Sequence, residues 1–212
     1  MGAAHIFFRL DLERLQGLFG SSQDKFAREV LKKQAEDVEN NDLCFEDEIN
    51  DGTCPDTKTA LHEILAGKPT QPRRTSMYGY TLKIICEHIG KQFGEEVGSV
   101  RDHPYESQLV RSGPPVPIPY DPGDFPQIGF LALADIQAEI DRLDAAPRTL
   151  PHPQALSSDA SLAEMMAALK RSNKLSRAVF GNDENLALDM DAYRRTLQEA
   201  LKKRVDIVSF KH

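Results

Sequence analysis

Only three cysteines, Cys44, Cys54 and Cys86, occur in 212 residues. Their number is odd, and spacings of ten and thirty-two residues fit neither a disulfide framework nor a zinc cluster. They read as buried or idle thiols of a reducing compartment. No apolar run approaches the ~18 residues that a membrane span needs. The opening "MGAAHIFFRLDLERL" meets charge at Arg9 without a basic leader, so no secretory signal is expected. Ile6 stands where N-myristoylation requires Ser or Thr. The expectation is a cytoplasmic protein with no membrane association.

Cations are in deficit, 26 Lys and Arg against 33 acids, for a net charge of −7. That balance argues against general nucleic-acid binding, which needs basic surface to neutralise phosphates. Chemical signatures are missing as well. There is no Gly-x-Ser-x-Gly elbow and no P-loop. The glycines of "FGEEVGSV" do not join a strand to a helix as a dinucleotide site requires. His88 adjoins Glu87, but no His-x-x-x-His pair exists, so no metal is expected, and no cofactor. No catalytic residue is assigned. The balance leans away from an enzyme.

What is present is globular: 40% hydrophobic and 28% charged residues, in a chain long enough to bury a core. "HIFFRL" at His5–Leu10, "IGFLAL" at Ile128–Leu133 and "VDIVSF" at Val205–Phe210 read as strands. Amphipathic helices fill much of the remainder. Asp11 is placed to cap the first. Ser21 and Asp24 have the spacing of a capping box before a long second helix. A helix over Thr57–Ala66 stops at Gly67. A core helix over Ser76–Phe93 aligns Tyr78, Leu82, Ile85 and Ile89, with Cys86 and Phe93 widening that face. Asp135 opens a helix carrying Ile136, Ile140 and Leu143. Ser161–Phe180 reads as helical, with Leu162, Met166, Leu169 and Val179 inward, and the last helix holds Tyr193, Leu197 and Leu201. The expected architecture is a single compact α+β domain over 1–212, with a surface linker near 147–158. Its small sheet includes the N- and C-terminal strands and is flanked by about six helices.

Two segments stand out. From Glu36 to Asp51 there are eight acids and no Lys or Arg. Glu36, Asp37, Asp42, Glu46, Asp47, Glu48 and Asp51, with Phe45 among them, are the candidate contacts for a basic protein partner. A dense negative field steers such a partner and adds specificity. Leu43 and Ile49 either anchor the contact or hold the segment to the core. Acid runs also occur as plain solvated faces, and that reading stays open. An immunity-like module, monomeric or a small homo-oligomer, is the leading expectation. The alternative is an enzyme or a small-molecule-binding regulatory domain with a pocket near the 101–129 loop.

That loop contains "SGPPVPIPYDPGDFPQIG", Ser112–Gly129, with six prolines in eighteen residues. Prolines bias it to an extended path and lower the entropy cost of a long crossing. Asp121 and Asp124 flank turn chemistry, and Phe125 is expected to anchor in the core. A short helical turn is expected near Tyr105–Val110. Arg101, His103, Tyr105, Tyr120, Asp121 and Asp124 are the pocket candidates, His103 being the natural general base near neutral pH.

"IFFRLDLERL", "DFPQIGFLAL" and "YRRTLQEALKKRVDIVSF" together resemble an uncharacterised bacterial domain family, and are distantly similar to YfbM-like α+β proteins. The resemblance implies a fold and a bacterial, cytosolic setting. It implies no activity and transfers no site residue.

Overall fold

Alternation along the first strand divides the molecule into two layers. The computed structural model describes residues 4–69, 75–94, 97–98, 112–146 and 183–211. In it, β1 spans Ala4–Leu10. Phe7 and Phe8 are both buried, yet they belong to different apolar clusters. Successive side chains of a strand point to opposite faces, so one short apolar strand serves two cores.

The C-terminal strand β5, Asp206–Lys211, lies antiparallel to β1, from Leu10 opposite Asp206 to His5 opposite Lys211. β4, Gln127–Leu131, pairs antiparallel with the other side of β5. At the opposite edge, β2 (Lys91–Gln92) and β3 (Val97–Gly98) both pair antiparallel with β1. The register slips by two residues between them, from Phe8 opposite Gln92 to His5 opposite Val97. The order is therefore β2–β1–β5–β4, with β3 also on β1. The two chain ends meet at the centre of the sheet, and the fold is α+β.

Helices cover both faces. α1 (Leu12–Leu18), α2 (Asp24–Lys33), α5 (Thr57–Ala66) and α6 (Thr75–Ile89) pack with Phe8, Val208 and Phe210. α7 (Ile136–Ala145), entered through a 3-10 turn at Leu133–Asp135, and α8 (Asp183–Lys203) pack with Phe7 and Ile207. Each buried Leu or Ile contributes about 1.5–3 kcal/mol of transfer free energy, the main term holding the layers together. One acid lies inside the second layer. Glu139 accepts from the Arg142 guanidinium at 2.7 and 2.6 Å and from the Tyr193 hydroxyl at 3.0 Å. A carboxylate buried there without those donors would be costly.

The structure corrects several sequence expectations. The long second helix breaks at Gln34 (φ −111°, ψ 32°), and two more helices follow, α3 (Ala35–Cys44) and α4 (Glu46–Asn50). The described residues thus hold eight α-helices. No capping box forms at Ser21. Its hydroxyl donates to the Leu18 carbonyl at 2.7 Å, and the N-cap of α2 is Gln23, without a side-chain bond. α6 ends at Ile89, so Phe93 is not on its face. Gly90 stops the helix, Lys91–Gln92 join the sheet edge, and Phe93 is buried in the second cluster instead. The expected helix over Ser161–Phe180, the turn near Tyr105–Val110 and the 147–158 linker lie outside the described residues. Among the described residues, no helix is long and apolar enough to cross a membrane.

Candidate functional site

α3 and α4 carry the acidic run, and neither buries a single residue fully. Their apolar contacts with the first core come from partly buried Val38, Phe45 and Ile49. Glu36, Glu39 and Leu43 follow at helical spacing on the outer side, while Val38, Asp42 and Phe45 face inward. Leu43 is 61% exposed, an unusual place for a leucine flanked by acids. Glu36, Glu39, Glu46 and Asp47 are exposed and make no side-chain hydrogen bond or ion pair among the described residues.

The remaining acids of the run are not equivalent. Asp42 is half-buried, and its Oδ1 accepts from the amide and the hydroxyl of Thr57 at 2.8 and 2.6 Å. It closes the first turn of α5, beside the cap that Asp56 provides to Thr59 at 2.7 Å. Asp51 Oδ1 accepts from the Thr53 amide and hydroxyl at 2.9 and 2.6 Å and shapes the turn after α4. Asp37 and Glu48 are half-buried. The run therefore divides into acids that build the segment and acids that only charge it.

The proline-rich crossing is held by its own polar groups. The Tyr120 hydroxyl accepts from the Ile128 amide at 3.1 Å and donates to the Ile128 carbonyl at 3.3 Å, fixing the crossing to the start of β4. Asp121 Oδ1 accepts from the Gly123 amide at 2.8 Å. Asp124 Oδ2 accepts from the Ser76 hydroxyl at 2.6 Å, and its Oδ1 from the Phe125 amide at 2.9 Å. Phe125 is not the core anchor expected of it, for it is 39% exposed. Its neighbour Pro126, joined to it by a cis peptide bond, is buried instead. Pro126 packs on Gly79 of α6, where an added Cβ would lie only 2.9 Å from the proline ring. Arg101, His103 and Tyr105 lie outside the described residues.

Tyr80 connects the two segments. Phe45 packs against its ring, with centroids 6.0 Å apart. Burial raises the Tyr80 hydroxyl above its ordinary range, and the neighbouring Cys44 and Asp124 raise it further. The end of α3 and the Asp121–Asp124 turn, eighty residues apart in sequence, thus share a neighbour on α6. No local pattern marks Tyr80 for this role, since it occupies an ordinary helical position.

His88 lies in the last turn of α6, where the negative end of the helix dipole favours a cation. Its pKa is instead lowered, first by burial and then by Lys33, and the ring stands edge-on to Phe26 at 5.3 Å. Glu87 is engaged by Lys83 at 2.7 Å. No group of three or more metal-ligating side chains forms among the described residues. All three cysteines are free, Cys44 exposed and Cys54 and Cys86 buried.

The sequence reading missed one feature. Arg9, Lys91, Lys203 and Arg204 converge on a cleft of about 720 Å³ at the end of the sheet. These residues belong to three distant parts of the chain, and strand pairing brings them together.

No curated protein and no solved structure matches the chain. Over residues 1–212 it matches the family described as a domain of unknown function, DUF7691, and it belongs to that family.

Proposed function

We propose that the protein is a non-enzymatic interaction module that binds a basic protein through the face formed by α3 and α4. A bacterial, cytoplasmic setting, an immunity-like role and kinship with YfbM-like proteins belong to the same reading. The observation that carries it is Leu43, a large apolar side chain left in water between the exposed acids Glu39, Glu46 and Asp47, none of which has a hydrogen-bonded partner among the described residues. Exposed apolar groups rimmed by charge suit a contact in which the charges steer and the apolar group anchors. Partly exposed Phe125, next to Asp124 at the Tyr80 junction, supplies a second apolar group beside this face.

The test is affinity capture from the native host with the full chain and with a Glu39→Gln, Glu46→Gln, Asp47→Asn variant. Captured proteins are identified and the interaction is repeated with purified components. A basic protein held by the wild type, released by moderate salt and lost with the variant supports the reading. Capture of the same proteins by both forms, or of an acidic partner, contradicts it.

A further inference from the structure

The cleft at the sheet end is built where β1, β2 and β5 meet the C-terminal ends of α6 and α8. Its two acids are already committed to backbone. Asp206 accepts from the Leu12 amide at 3.0 Å and from the Leu133 amide at 2.8 Å. Asp11 accepts from the Arg14 amide at 2.9 Å. Beside the cleft, Glu199 is bonded to Lys203. Its carboxyl is held below the usual range first by Lys203 and also by Arg9. Arg9 of β1, Lys91 of β2 and Arg204, between α8 and β5, have no hydrogen-bonded carboxylate among the described residues.

Two features of this arrangement are unfavourable in themselves. Arg9 and Lys91 are direct cross-strand partners, and like charges so placed repel. Arg204 holds φ +55° just beyond α8. Its amide bonds to the Leu201 carbonyl and the Val205 amide to that of Ala200. Glycine is favoured at such a helix end, and a side chain there carries strain. The negative ends of α6 and α8 attract single cations, but they do not explain why Arg9 faces Lys91.

We propose that this cleft binds a small doubly charged oxyanion of the phosphate class, free or as a monoester. Guanidinium groups match phosphate oxygens in pairs, and a dianion between Arg9 and Lys91 turns their repulsion into attraction. The volume lies in the range of small-molecule sites. Leu10, Ile89 and Val205 add apolar lining for an organic group.

The experiment titrates the full chain with phenyl phosphate, with inorganic phosphate and with sodium chloride at matched ionic strength, read by amide NMR and calorimetry. The expected result is saturable shifts at Arg9, Lys91 and Arg204 with both phosphates and not with chloride. Tighter binding of phenyl phosphate assigns the site to monoesters, and equal binding assigns it to free phosphate. Arg204→Gly, which relieves the backbone strain, should weaken binding about tenfold without lowering the melting temperature. Arg9→Gln should weaken it similarly. Shifts that chloride reproduces, shifts that saturate elsewhere on the protein, or unchanged binding by both variants would overturn the proposal.

Discussion

Asp42 of α3 holds the first turn of α5 by accepting from both the amide and the hydroxyl of Thr57. One acid of the charged run is thereby part of the framework, and its loss leaves the Thr57 amide unsatisfied and its hydroxyl with only the weak Met77 Sδ acceptor at 3.5 Å. Asp42→Ala should cost about 1–3 kcal/mol of stability. Neutralising exposed Glu46 and Asp47 should change it by no more than about half a kcal/mol. Urea denaturation of the two variants checks the contrast, and equal losses would show that the run is energetically uniform.

Asp206 makes a similar connection at the other side of the fold. It satisfies the first amide of α1 and the amide that opens the 3-10 turn after β4. Asp206→Ala should cost about 1–3 kcal/mol, as loss of a helix cap or of a charged hydrogen bond does. Hydrogen exchange should quicken at both Leu12 and Leu133. Faster exchange at one of them alone would contradict the shared role.

Ile85, with no solvent exposure, lies in the first core beside Tyr78 and Leu82. Ile85→Ala should cost about 2–5 kcal/mol, the transfer term plus the cavity left behind. A loss below about half a kcal/mol would mean that α6 does not pack as described.

Stability should fall on both sides of neutral pH. Burial first, and Glu87 second, push the Cys86 thiol far above its ordinary range. Below about pH 8.5 both states keep that proton; above it the unfolded chain releases one that the folded chain holds, so stability drops by up to about 1.4 kcal/mol per pH unit. Tyr80 and Tyr120, both raised chiefly by burial, act the same way above about pH 10. His88 has the opposite sign. Its lowered pKa means that the unfolded chain takes up a proton first, so stability declines below about pH 6.5. Urea midpoints measured from pH 5 to 10 check this, and Cys86→Ala should flatten the alkaline limb. Rising stability from pH 8 to 10 would contradict it.

β1, β4, β5 and the α+β class were legible because short apolar runs survive in sequence, whereas the two-residue edge strands β2 and β3 were not, being too short and too polar to mark themselves. Phe7 and Phe8 announce a strand buried on both faces, and Tyr78, Leu82 and Ile85 announce a helix buried on one. The break at Gln34 was not legible, because the apolar stripe from Val30 to Val38 continues through it. Phe125 misled because a lone aromatic beside prolines reads as an anchor, whereas the close approach of Pro126 to Gly79 fills that place. The acidic run was visible as charge, but the framework role of Asp42 depends on Thr57, fifteen residues away, which only folding brings into reach. The basic cleft was invisible, since sheet register brings Arg9 to Lys91 and the end of α8 brings Arg204 beside them.

The most direct measurement of the proposed role is the association rate of the purified basic partner with the wild type and with the Glu39→Gln, Glu46→Gln, Asp47→Asn variant, at two salt concentrations. Exposed charges act over about 8–10 Å at physiological ionic strength and govern encounter more than lifetime. The expected result is slower association by the variant at low salt, a shallower salt dependence and little change in dissociation, with Leu43→Ser instead speeding dissociation. Equal association rates and equal salt slopes for the wild type and the charge variant would contradict it.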